Sequence, residues 1–211
     1  MRNSSDFDRG LNLDQGGYML NSLPSHRKFH MRRLLIAVPI LLLAGTFGTA
    51  AEIVDLPTRE GPPIQTTSGV PHVQIGVEAA PEIRAELLRR VSRLPKLDVR
   101  PTVVSLPGTE GFWLQEALSL ARPDVIVGGR EFAHVHPDGS LHASLPPDRA
   151  REAVAAGWAV RHPWADQREG WEGFVMLITP QTAEHLDVTF QLVVDGYNFV
   201  TGADLTPEDY R

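Results

Sequence analysis

His134-Val135-His136-Pro137-Asp138-Gly139-Ser140-Leu141-His142 is the stretch whose reading decides the fold of this chain. Pro137-Asp138-Gly139 has the composition of a three-residue hairpin loop. Pro and Asp suit the central positions of a type I turn, and Gly suits the left-handed position that follows. That loop sets the register: His136 opposes Ser140, Val135 opposes Leu141, His134 opposes His142 and Ala133 opposes Ala143. Side chains alternate across a strand, so Phe132, His134, His136, Ser140, His142 and Ser144 share one face. Ala133, Val135, Leu141, Ala143 and Leu145 share the other, predicted to be the core side. A two-residue Asp138-Gly139 loop would send His142 to the face of Val135 instead, but Pro137, with its fixed φ, favours the longer loop.

Three of the eight histidines of the chain therefore converge on one face. Directly opposed residues such as His134 and His142 have Cβ atoms about 5 Å apart. Imidazoles so placed can transfer protons near neutral pH, stabilise a developing anion, or hold a divalent metal with an open position. The plain alternative is a solvated hairpin face with no chemistry. Around the hairpin, Glu131 is placed on the core-side parity, where it either orients a histidine or pairs with Arg130. Ser140, His162 and Trp158 are supporting candidates, and Trp164 and Trp171 can wall an aromatic pocket as readily as fill the core.

Outward from the hairpin, Ile83, Leu87, Val91 and Leu94 follow Pro81 at helical spacing with charged residues between them, predicting an amphipathic helix. Leu97 to Leu106 is β-branched but carries Pro101, which suits an edge strand. Phe112 to Leu120 reads equally as strand or helix, and Asp124-Val125-Ile126-Val127 reads as a short buried strand. Pro146-Pro147-Asp148 opens a helix with Ala150, Ala153 and Val154 on its inner face and Gly157 as its stop. Phe174 to Ile178 is a further strand. Thr179 and Pro180 are expected to start a last helix with Ala183, Leu186, Phe190, Val193, Val194 and Tyr197 as its apolar stripe. Hairpin strands mixed with helices predict an α+β domain, its helices packed on a mainly antiparallel sheet.

The 211-residue chain is sized for one such domain, with 42% hydrophobic and 22% charged residues. A net charge of -6 argues against a nucleic-acid partner, which needs a basic patch. With no cysteine, thiolate catalysis and thiolate metal sites are excluded, so any metal must sit on His, Asp or Glu. Residues 1–30 read as disordered or as a misassigned start. Residues 31–51, with Arg32-Arg33, an apolar run from Leu34 and a small-residue tail, read as a signal peptide or a membrane anchor. Either places the rest of the chain outside the cytoplasm, with residues 34–51 as the membrane contact if they are not cleaved. Residues 52–69, rich in Pro and Thr, read as a linker; residues 70–202 form the domain and 203–211 a C-terminal tail.

The run Arg130-Glu131-Phe132-Ala133-His134-Val135-His136-Pro137-Asp138-Gly139-Ser140-Leu141-His142 heads a longer pattern. It continues with Leu145-Pro146-Pro147, Gly157-Trp158, His162-Pro163 and Gly173-Phe174-Val175-Met176. Together these residues resemble the luciferase-like domain shared by fungal luciferases and many bacterial proteins of unassigned function, over roughly Gly69 to Gly202. The resemblance implies a cofactor-independent oxygenase: in fungal luciferases the hydroxypyrone 3-hydroxyhispidin reacts with O2 through an endoperoxide that loses CO2 with light. It is not carried as far as light emission here. It implies an exported or anchored domain acting on a small phenolic or pyrone-like molecule, with His134, His136 and His142 as base and anion partner. Family members often carry an acidic residue between the Gly-Trp and His-Pro pairs, where this chain has Ala159, Val160 and Arg161. The alternative is a non-catalytic module that binds a small ligand or a metal through the same hairpin. A His-based metal hydrolase ranks third, for want of a carboxylate base.

Overall fold

The computed structural model describes residues 55–211; the expectations for residues 1–30 and 31–51 lie outside them. Pro81 opens α1 (Pro81–Val91), which buries Leu87 and Val91. The chain then runs through β1 (Leu97–Pro101), β2 (Glu110–Leu114), β3 (Glu131–Val135) and β4 (Leu141–Ser144). After the short α2 (Pro147–Ala155) come β5 (Ala159–Arg161), β6 (Phe174–Leu177) and the long α3 (Ala183–Thr201). The six strands form one antiparallel sheet in the order β1-β2-β3-β4-β6-β5. An α+β architecture with helices on an antiparallel sheet is what the pattern of hairpins and helices predicts. Pro101 ends β1, which is an edge strand, where a missing N–H costs no ladder bond.

The hairpin has the three-residue loop. His136 N–H donates to the Ser140 carbonyl, Gly139 N–H donates to the His136 carbonyl, and Gly139 sits at φ 86°. His134 accordingly opposes His142, and Val135 opposes Leu141. Val135, Leu141, Ala143 and Leu145 are buried in the core with Leu186, Phe190, Val193 and Tyr197 of α3. α3 comes so close to β4 that a Cβ on Gly196 would stand 3.1 Å from the Ser144 carbonyl oxygen.

Four local expectations are corrected. Residues 123–125 form a 3-10 turn rather than part of a strand, because Pro123 starts a turn that Ile126 N–H closes back to the Pro123 carbonyl. Val154 is 42% exposed, so α2 buries only the alanine side of its inner face. α3 is capped by Thr182, whose hydroxyl accepts from His185 N–H, and not by Thr179. Thr179 is instead a buried tether: its N–H donates to the Gln74 side chain and its hydroxyl to the Asp138 carbonyl. This start also leaves Ala183 exposed, outside the buried stripe.

The fourth correction bears on the site. β2 and β3 slip register at Phe112/Trp113, so that Phe112 opposes Ala133 while Trp113 opposes Glu131. Phe132 is the extra residue of a β-bulge, and strict alternation fails there. Its ring therefore turns into the core against Phe112 and Tyr197. Glu131 turns to the histidine face, opposite to its expected parity.

Residues 55–75 are bound to the domain in several places. Leu56 N–H donates to Glu152, and Trp158 Nε1–H donates to the Pro57 carbonyl. Thr66 bridges Gln74 in a small two-stranded turn that carries His72. The start of β6 is held closer still to the end of β4: Leu145 N–H donates to the Gly173 carbonyl, and a Cβ on Gly173 would lie 1.9 Å from the Leu145 carbonyl oxygen. Both partners are backbone and cannot yield cheaply. Gly173→Ala is expected to destabilise the domain by about 3 kcal/mol, read as a lower urea midpoint; an unchanged midpoint would contradict this packing.

Candidate functional site

The polar face of the hairpin is not solvated. His134, His136 and His142 are at most 5% exposed. The turn at 65–75, the loop after β1 and the segment between β5 and β6 cover them, leaving a cavity of about 160 Å³. His72, His162, Ser105, Trp164 and Phe174 complete its wall. His142 is the centre of the cluster. Its ring lies 5.0 Å from that of His134, 4.7 Å from His136, 4.6 Å from His162 and 5.5 Å from His72, the last in parallel stacking.

Two hydrogen-bond relays assign the protons. Glu131 has no proton to give at neutral pH, so His134 Nδ1–H donates to its Oε1 at 2.9 Å. His134 Nε2 is then a lone pair, and it accepts from His142 Nδ1–H at 3.1 Å. The relay ends at His142 Nε2, a lone pair that is buried and without a hydrogen-bond partner. The bulge makes this possible, because only on the histidine face can Glu131 reach His134. Its carboxylate also accepts from the Thr102 hydroxyl at 2.6 Å and from Val103 N–H at 2.9 Å. Burial alone would raise its pKa, but the bonds from His134, Thr102 and Val103 together outweigh burial and hold it below the usual range.

The second relay starts at Asp138, whose Oδ1 accepts from both the backbone N–H and the hydroxyl of Ser140. Ser140 Oγ, having donated its proton, accepts from His136 Nδ1–H at 3.0 Å. His136 Nε2 is thereby left as a lone pair facing the Ser105 hydroxyl at 3.1 Å. His162 is fixed in the opposite tautomer: its Nδ1 accepts from Trp164 N–H, so its proton is on Nε2.

The cluster is electrically neutral at rest around His142. Burial, and then repulsion among neighbouring imidazoles, holds His142 well below the ordinary histidine value. Burial first, with the neighbouring charges second, lowers His136 to about 4 and His162 to about 3. Burial also lowers His72. Two sets of three imidazoles, His72/His142/His162 and His134/His136/His142, have nitrogens within 4.8 Å of one another, close enough to share a cation. In the second set, both nitrogens of His134 and His136 are already engaged. In the first, His162 Nε2 carries a proton.

The structure thus brings together His134, His136, His142, Glu131, Ser140 and His162. It does not bring Trp158, which lies in the core with its indole edge against His185 and its N–H on Pro57. Trp164 lines the cavity, and Trp171 stacks behind it at 6.4 Å. Sequence reasoning misses His72 and Ser105. Nothing near either residue marks it, since each reaches the hairpin only through the path of the chain. A larger cleft of about 690 Å³ beside α2 and α3 contains no histidine. In its wall Arg149 bridges Glu152 and Asp195.

The same hairpin lies inside the region that matches known proteins. Residues 129–194, from two residues before β3 into α3, match the family model described as Luciferase domain. Curated luciferases of Armillaria mellea and Armillaria gallica are each 26% identical to the chain, in alignments of 168 and 167 positions that cover 70% of this chain. The matches cover 62% of those luciferases, so the chain corresponds to somewhat under two thirds of their length. No solved structure matches significantly. The His-rich hairpin and the first twelve residues of α3 lie inside the matched region, so residues 129–194 carry the likeness to the luciferase-like domain family.

Proposed function

We propose that this protein is an oxygenase that works without a cofactor on a small phenolic or pyrone-like substrate, exported or held at a membrane through residues 34–51. The observation that carries the reading is the Glu131–His134–His142 relay, which delivers an unpartnered lone pair, His142 Nε2, into the cavity. In this reading His142 Nε2 takes the proton of a substrate enol. Its imidazolium forms only beside the enolate, which supplies the counter-charge that the resting cavity lacks. The electron-rich enolate carbon then bonds to O2, and His162 Nε2–H donates to the resulting peroxide anion. Phe174 and Trp164 give a planar ring its apolar walls.

Oxygen uptake by the purified protein is measured on a panel of catechols and hydroxypyrones. His142→Ala is expected to lower the rate at least about 100-fold, with thermal stability as the check on folding. Equal rates for the two proteins on every compound would count against the oxygenase.

The second reading, a metal-binding module, is favoured by the two sets of close imidazole nitrogens. Metal analysis separates the two. A near-stoichiometric divalent ion, lost in His142→Ala, supports the module, because each set includes His142. Protein that purifies free of metal and takes up none on dialysis against zinc opposes it.

A further inference from the structure

The Asp138–Ser140–His136–Ser105 relay is not used by the oxygen chemistry above. Its parts are those of an activated nucleophile: a hydroxyl, a base within hydrogen-bond reach of it, and an anionic group that fixes the tautomer of the base. Ser105 Oγ lies 3.1 Å from His136 Nε2, with the hydroxyl proton directed at the lone pair. His136 cannot turn this lone pair away. Its other nitrogen is committed to Ser140 Oγ, and Ser140 in turn to Asp138. His136 is 1% exposed and Ser105 is half-buried, so the base is shielded while the hydroxyl borders the cavity. His162, with its proton on Nε2, lines the same cavity and offers a donor to an oxyanion.

We infer that Ser105 is a nucleophile activated by His136, and that this site transfers or hydrolyses the acyl group of a small, uncharged aryl ester or lactone. Ser105 Oγ bonds to the carbonyl carbon as its proton passes to His136 Nε2. The carbon–oxygen bond to the leaving alcohol then breaks, and the alcohol takes that proton. Water, deprotonated by the same nitrogen, cleaves the acyl-serine to acid and free Ser105. No oxidant, metal or cofactor enters this sequence. An uncharged, single-ring substrate fits a cavity of about 160 Å³ with Trp164 and Phe174 in its walls. The inference rests on the His136 relay alone and stands whether or not oxygen is a substrate.

The test uses p-nitrophenyl acetate and a fluorophosphonate probe on the purified full chain. The expected result is release of p-nitrophenol, with the fluorophosphonate adduct on the peptide that holds Ser105. Both should fall at least about 100-fold in Ser105→Ala. Equal release by Ser105→Ala, or an adduct elsewhere, overturns the inference, since bare imidazoles also cleave this ester. A second variant removes the dependence on substrate choice. The chain has no cysteine, so Ser105→Cys introduces a single thiol. Beside His136 that thiol is expected to react with iodoacetamide with a midpoint well below the ordinary thiol value of about 8.5. A midpoint at the ordinary value, or one that His136→Gln leaves unmoved, overturns the role of His136 as base.

Discussion

Replacing Glu131 by Gln is expected to lower kcat/KM for oxygen uptake by about 10³- to 10⁴-fold, the scale seen when the carboxylate behind a catalytic imidazole is made neutral. The reason is the direction of each hydrogen bond. Val103 N–H needs an acceptor on the Oε2 side of residue 131, so a glutamine must place its oxygen there. Its NH₂ group then faces Thr102 and His134, where Oε1 now accepts from both. Thr102 can rotate its hydroxyl to accept, but His134 Nδ1 must give up its proton and become an acceptor. His134 would carry its proton on Nε2 and donate to His142 Nδ1, and the proton of His142 would move to Nε2. The lone pair in the cavity becomes an N–H. A change of one atom, eleven residues from His142, thus converts the base into a donor while leaving the shape of the site intact. Nitrogen-15 chemical shifts of the His142 ring report the tautomer directly. Unchanged shifts with unchanged oxygen uptake would sink the relay.

Mild acid is expected to unfold the domain. Burial, with mutual repulsion second, holds His136, His142 and His162 neutral in the fold, whereas in the unfolded chain each takes up a proton near pH 6.5. A depressed histidine pKa means that stability is complete above the unfolded value. It is lost as the pH falls below that value, until the folded value is reached. For His136 the window runs from 6.5 down to about 4, and for His162 from 6.5 down to about 3. His136 and His162 together lose roughly 4 kcal/mol between about pH 7.5 and about pH 5, a large part of the stability of an ordinary domain at about 5–15 kcal/mol, and His142 acts in the same direction. Glu131, depressed by its hydrogen bonds, adds to the loss at still lower pH. Urea midpoints taken across this range are expected to fall steeply; a flat profile would mean that the imidazoles are hydrated in the fold.

What could be read from the sequence was what local chemistry decides. Pro137-Asp138-Gly139 dictates its loop without help from the rest of the chain, and that loop places His134 against His142. The apolar spacing of α1 and most of that of α3 is local in the same sense. The misread positions answer to distant partners. Thr179 resembles a helix cap in its own neighbourhood, but Gln74 and Asp138 claim its hydrogen bonds. Val125 and Ile126 are apolar enough for a strand, yet Pro123 turns them before they can pair. Trp158 follows a glycine stop and faces the core rather than the cavity. His72 and Ser105 lie 62 and 31 residues before His134 and His136 respectively, and only the tertiary path brings them to the hairpin. Period-two reasoning failed at Phe132 because a bulge inserts a residue that no side-chain pattern announces.

That bulge makes membership of the site a matter of counting. With Phe132 absorbed as a surplus residue, the carboxylate at 131 belongs with the imidazoles and the phenyl ring with the packed interior. Adding one residue to β2 between Phe112 and Trp113 would give Phe132 a partner and restore regular pairing, and strict alternation would then exile the anion from the histidines. A sheet without the bulge would therefore be better ordered and enclose an inert cavity. In a library of variants of this domain, a one-residue insertion between Phe112 and Trp113 should separate folding from function more cleanly than any exchange of side chains.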